Sequence, residues 1–219
     1  MCIEKDILIN EIKMYLTHIT TAHDYFIAYK TLVDAINSDA CNKKVNIAPA
    51  FFSVTLNSLS TSLEIELSKL YCDTHKDERT LLKLINKVQA NAKLFPKEIK
   101  YGANVVDCDI YKFKEKTVMV DINKEILQAQ EVIKKLEPII SNLNLRRDKK
   151  IAHNDKKYFL LPKKIYVDSP MTMADFHTLI HYAGKLCNRF LCYLNGSVVG
   201  YNSLHTEDLK DLLIKVTGV

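Results

Sequence analysis

Residues 121–155 read DINKEILQAQEVIKKLEPIISNLNLRRDKKIAHND, and the reading of this stretch decides the fold. Ile126, Leu127, Val132, Ile133, Leu136, Ile139, Ile140 and Leu143 recur at the three-to-four spacing of one face of an α-helix. Asp121 or Asn123 can open that helix, since a short oxygen-bearing side chain accepts from the orphan N–H groups of a first turn. Pro138 lies inside the run and removes one helical donor, yet the apolar period continues past it towards Arg146. Beyond Leu143 the pattern gives way to LRRDKKIAHND, eleven residues over 145–155 with four cationic side chains, two carboxylates and a histidine.

Upstream the same period recurs. Ile3, Ile7, Leu8, Ile12, Tyr15, Leu16, Ile19, Ala22, Phe26, Tyr29, Val33 and Ile36 predict one long amphipathic helix, with Thr20 and Thr21 the place for any kink. A polar stretch over 37–46 follows. Pro49 then sits where a first helical turn tolerates it, and an apolar run predicts a second helix from Ala48 to Tyr71. Thr74 or Asp77 can cap a third helix with Leu81, Leu82, Leu84, Ile85, Val88 and Ala92 inside, ended by Pro96. Residues 94–120 are less legible: VVDCDIYKF and KTVMVDI alternate weakly, which suits a small β-hairpin or an irregular insertion around 100–120, with a helix as the alternative.

Downstream, Lys156, Lys157, Lys163 and Lys164 mark a basic loop. Ser169 or Thr172 then caps a helix to about Leu194, and Thr206 caps a last one ending near Val216. The expected architecture is all-α, an up-and-down helical bundle forming one domain over 1–219, with its core bundle at about 48–195.

Composition is consistent with a globular chain: 219 residues, 47% hydrophobic and 26% charged, enough to bury a core without staples. The N-terminal residues alternate charge with apolar side chains, unlike a signal peptide or a membrane span, so a cytoplasmic protein with no membrane partner is expected. The six cysteines contain no C-x-x-C pair and are read as small buried hydrophobes. A net charge of +5 permits a polyanionic partner without requiring one.

The chemistry suggested by 145–155 is that of a phosphodiester. On a straight helix advancing about 100° per residue, Arg146 and His153 share a face, while Arg147 stands off unless the helix bends or ends. An imidazole titrates near neutrality, and a guanidinium offers fixed donors to a phosphoryl oxygen. RNA carries its own nucleophile, the 2′-OH beside the scissile phosphate, so a proton-transfer group and charge stabilisation suffice and no metal is required.

The pattern R-x-x-x-x-x-H from Arg147 to His153, with the polar Asp148 directly after the arginine, resembles the signature of the HEPN superfamily. The string RDKKIAHND, together with SKLYCDTHKDERTLLKLI upstream, is most similar to the abortive-infection AbiU-like branch. The resemblance implies a metal-independent endoribonuclease acting as a toxin or antiphage effector, with no cofactor. Its catalytic residues would be His153 as general base or acid, Arg147 for the developing charge and Asp148 as the orienting group. Arg146, Lys149, Lys150, Asn154, Lys156 and Lys157 would contact the RNA. The implied partners are RNA, a second copy of the chain that completes a composite site, and an antitoxin or nucleotidyltransferase. One branch carries, two residues after the histidine, a tyrosine that such a nucleotidyltransferase modifies; Asp155 stands there instead, which puts that route in doubt.

Blander readings compete at each position. The cationic run also suits a solvated helix terminus meeting the macrodipole, and a non-catalytic module binding nucleotides or nucleic acid, or serving a defence system through protein contacts, needs the same charges. His177 and His181 have a chelating spacing but no evident third ligand, so no metal site is expected. His18, His23, His75 and His205 read as surface histidines. Tyr25, Phe26, Tyr29, Phe51 and Phe52 read as packing rather than base-stacking platforms. Glu64, Glu66 or Asp73 can orient an arginine from a neighbouring helix, with nothing in the spacing to choose among them.

Overall fold

The computed structural model describes residues 2–38, 48–72, 80–107, 110–152, 156–161, 163–201 and, further on, 208, 209, 211, 213 and 215. Helix α1 spans Cys2–Asn37 and α2 spans Pro49–Tyr71, with Pro49 at the first turn as its missing N–H allows. Thr17, Thr20 and Thr21 donate their hydroxyls to the carbonyls of Lys13, Leu16 and Thr17, so α1 runs on without a break at the threonine pair. Helix α3, Leu81–Ala90, is capped by Thr80, whose side chain accepts from Lys83 N. The caps expected for it, Thr74 and Asp77, lie outside the described residues. Its helix stops at Ala90, short of Ala92, which begins a 3-10 turn.

The ambiguous region is a hairpin. Strands β1, Glu98–Asp107, and β2, Ile110–Met119, pair antiparallel from Glu98↔Met119 to Asp107↔Ile110 and form a two-stranded sheet. Helix α4, Ile122–Arg146, follows, with the Asp121 carboxylate accepting from Lys124 N at 3.1 Å and Pro138 inside it. A π-helical turn over Arg147–Ala152 continues α4 without a gap. Where a lysine-rich loop was expected there are two short helices, α5, Lys156–Leu160, and α6, Lys164–Asp168, because Tyr158 and Ile165 turn inward and are buried. Helix α7, Met173–Asn195, opens with a reciprocal box of Thr172 and Asp175 rather than with Ser169. It closes at Gly196, whose φ of 73° is a left-handed conformation that favours glycine.

Helix α1 packs on α2 and α7, while α4 packs on α3 and touches α2 and α7. One continuous core joins Ile12, Leu16 and Ile19 of α1, Leu63 and Leu67 of α2, Leu84 and Ile85 of α3, Leu143 of α4, and Leu179 and Phe190 of α7. The core therefore begins well before residue 48, since α1 supplies one of its walls. Tyrosine hydroxyls tie the helices together: Tyr15 donates to Thr80 O at 3.1 Å, Tyr71 to Leu179 O at 2.6 Å and Tyr182 to Ala129 O at 3.0 Å. Burial holds the Tyr71 phenol well above its ordinary range, so it stays a neutral donor. Gly184 of α7 lies under the Tyr201 ring, and a Cβ there would come within 2.5 Å of it. Among the described residues no helix is long and apolar enough to cross a membrane.

Candidate functional site

The end of α4 is where the basic sequence meets the fold. Leu136, Ile140 and Leu143 bury one face of the helix and fix its rotation, so Arg146 at the next inward position is carried into the core. Its Nη1 donates to Glu64 Oε1 of α2 at 2.9 Å and its Nε to Ser169 O at 2.8 Å, with the Tyr166 ring 5.0 Å away. The two charged side chains are 6% and 0% exposed. This is a different place from the RNA contact expected of Arg146. A phosphate would have to displace a fully buried carboxylate, which is left costly and unpaired in a dry interior. Of the acidic candidates, Glu64 is the one that orients an arginine. Glu66 pairs with His18 and Lys69 instead, and Asp73 lies outside the described residues.

Arg147 is held on the other side of the helix. Its Nε and Nη2 both donate to Asp148 Oδ1, at 2.9 and 2.7 Å, Nη2 also to Asn144 Oδ1 at 2.6 Å, and Nη1 to Cys72 O at 3.3 Å. An arginine has five N–H donors, and four are so used; the fifth, on Nη1, meets no acceptor among the described residues. The side chains of Arg147 and Asp148 are 15% and 39% exposed. Of the two partners open to Asp148, Arg147 and His153, the described residues show the contact with Arg147. The geometry adds two groups that sequence reasoning did not raise, Asn144 and the Cys72 carbonyl. Asn144 was accessible in principle, one helical turn before Arg147.

The π-helical winding starts at Arg147 itself. A turn closed by i→i+5 bonds is wider than an α-turn, so the straight-helix phase that puts residue 153 on the face of Arg146 does not hold past Arg147. Such turns are rare and occur frequently at functional sites. His153 and Asn154 lie outside the described residues, as do the side chains of Lys150 and Lys156.

Lys149 is half-buried. Lys157 is exposed and paired: its Nζ donates to Asp168 Oδ2 at 2.5 Å, and the same oxygen accepts from Tyr158 OH at 3.0 Å. The hydrogen bond to Asp168 raises the ammonium pKa, and in return holds the carboxyl below its ordinary value.

Of the other histidines, His75 and His205 lie outside the described residues. His177 and His181 stack with centroids 5.6 Å apart on α7, and His181 Nδ1 lies 3.2 Å from Tyr201 OH. Among the described residues no group of three or more His, Cys, Asp or Glu side chains is arranged to hold a metal ion. Cys72 and Cys187 are buried thiols, and burial pushes Cys187 far up, as expected for packing residues.

A helical bundle in which α4 delivers an arginine and aspartate pair at a π-turn, followed in sequence by a histidine, has the features of a HEPN-type domain. The family model HEPN_AbiU2, described as AbiU2, matches residues 5–213, and the chain belongs to that family. No curated protein and no solved structure matches the chain significantly.

Proposed function

We propose that the chain is a metal-independent endoribonuclease of the HEPN type, serving as a toxin or abortive-infection effector. The observation that carries this reading is the anchoring of Arg147: three acceptors fix its mostly buried guanidinium at the helix end, with one donor of Nη1 left to point at a phosphoryl oxygen. Asp148 holds the guanidinium plane. His153 takes the proton of the 2′-OH as that oxygen attacks phosphorus; the P–O5′ bond breaks, the 5′-oxygen takes up a proton, and a 2′,3′-cyclic phosphate remains. One histidine per chain supplies one proton-transfer group, so a second copy would provide the other, making the active species a homodimer. Lys149, Lys150, Asn154, Lys156 and Lys157 form the RNA-contacting set, with Lys157 exchanging Asp168 for phosphate. An antitoxin or nucleotidyltransferase partner fits such a toxin.

The test is incubation of the protein and its His153→Ala variant with labelled single-stranded RNA in EDTA, followed by analysis of the product ends. Cleavage to cyclic phosphate ends that vanishes in the variant is expected. No cleavage, or equal cleavage by the variant, overturns the nuclease. A specific observation favours the second reading, a non-catalytic nucleic-acid or protein-interaction module: the Asp148 carboxylate already neutralises Arg147. In that case RNA affinity falls in small steps with each charge removed, and His153→Ala leaves it unchanged.

A further inference from the structure

Beside Arg147 lies a cavity of about 230 Å³ between the end of α2, the start of α3 and the outer face of α4. It is below the roughly 300 Å³ of pockets for drug-sized ligands and suits one flat ring system. Leu82, Ile133 and Ile140 give it apolar walls, and Leu82 is 44% exposed. One edge is polar: Glu137, Ser141 and Asn144 follow one another at i, i+4 and i+7 on α4.

This polar edge is only partly used. Ser141 Oγ donates to Glu137 Oε1 at 3.4 Å, a long bond, and Glu137 Oε2 accepts nothing among the described residues. Asn144 spends its Oδ1 on Arg147, and its amide N–H groups have no acceptor among the described residues. An acceptor and a donor are thus presented side by side above apolar walls. Cys72 and Asn144, which line the cavity, are also the groups that anchor the Arg147 guanidinium. A phosphate on Arg147 therefore sits at the cavity rim, one sugar away from whatever fills it.

The geometry points to a nucleobase subsite here, taking the base of the nucleotide whose phosphate Arg147 holds, and preferring adenine or cytosine over uracil. Adenine and cytosine carry an exocyclic amine beside a ring-nitrogen acceptor, which matches Glu137 and the Asn144 amide. Uracil can set its N3–H on Glu137 and one carbonyl on the Asn144 amide, but its second carbonyl then lies against the carboxylate, which makes it the weaker fit. The inference deepens the ribonuclease reading and rests on it for the identity of the ligand.

Equilibrium binding of 3′-AMP, 3′-CMP and 3′-UMP to the full chain, by calorimetry, tests it without any turnover. Binding of the first two about tenfold tighter than 3′-UMP is expected. Ser141→Phe, at an exposed helix position with an unchanged thermal melt as its control, should abolish all three by filling the cavity. Glu137→Gln, which offers a donor where an acceptor stood, should narrow the preference. Equal affinity for the three nucleotides, no binding, or binding indifferent to Ser141→Phe overturns the subsite. Selective binding without RNA cleavage would leave the subsite standing and remove the nuclease, whereas cleavage with no base discrimination would do the reverse.

Discussion

At the end of α4 two arginines adjacent in sequence enter two environments. On the α2 and Ser169 side, Arg146 meets a carboxylate that is 0% exposed, and a backbone carbonyl completes its shell. On the Cys72 side, Arg147 meets a carboxylate that is 39% exposed and shares it with solvent. The same ion-pair chemistry is therefore dry in one case and wet in the other. A dry pair is costly to break and cannot exchange partners, while a wet one contributes little stability and can trade its carboxylate for phosphate. The difference teaches that burial of the partner, more than the arginine, separates the scaffold from the site.

The sharpest way to break that comparison is to remove the buried carboxylate. Glu64→Ala leaves the Arg146 guanidinium charged in the core and should lower unfolding free energy by about 3–5 kcal/mol, read from urea denaturation. The pair Glu64→Leu with Arg146→Met should recover most of the loss, because apolar groups of similar volume carry no desolvation penalty. If the single variant unfolds within 1 kcal/mol of the parent, on the order of a surface pair, the dry and wet distinction fails.

The next effect lies on the other arginine. Arg147→Ala should cost about 1–2 kcal/mol, less than Glu64→Ala, because the lost hydrogen bonds leave a carboxylate that solvent reaches, while RNA cleavage falls by about 10²- to 10³-fold, the usual loss when one donor to a developing oxyanion is removed. Denaturation and cleavage measured on the same preparation decide it. A large destabilisation with proportionate loss of activity would make Arg147 a second Arg146. Asn144→Ala is expected to be milder, since Asp148 still grips the guanidinium. A rise in the KM for RNA with kcat little changed would mark Asn144 as a positioning residue and a contact of the base.

Much of this contrast was hidden in the sequence for physical reasons. The α4 helix was legible because eight apolar residues keep one period, and Arg147 with Asp148 was legible because the pair is local. Arg146 was not: its partner Glu64 stands 82 positions earlier, and only the packing of α4 on α2 decides that their contact is dry. The π-turn from Arg147 was equally out of reach, since its residues carry no periodic signal and the change of winding alters the phase of all that follows. Thr80 does not stand out in the sequence as the α3 cap because Thr74 and Asp77 are cap-forming residues as well, although Thr80 alone directly precedes Leu81. The hairpin is ambiguous in sequence because a short two-stranded excursion needs only weak alternation, and part of its sequence suits a helix equally well.

The smallest effect belongs to the histidines on the α1 and α7 seam, which extend the comparison to groups that are only partly covered. Burial lowers the pKa of His23, with His177 adding to the effect and Asp24 opposing it. Burial also lowers His181, helped by Lys185 and His177. Both fall below the ordinary 6.5, so the unfolded chain binds more protons than the folded one between that value and the folded pKa. Their contribution is complete above pH 6.5 and is lost as pH drops through the folded values. Asp168, whose pKa is lowered from 3.8, titrates beneath this window, and Lys157, raised from 10.5, titrates above it, so neither disturbs the reading. The parent should therefore lose a little thermal stability between about pH 7.5 and 5.5, less than roughly 1 kcal/mol because the cluster faces solvent. His23→Gln should flatten that slope while keeping the ring position filled. An unchanged slope in the variant would place the proton uptake elsewhere, and a slope as steep as the loss from Glu64→Ala would mean that burial does not order these polar groups.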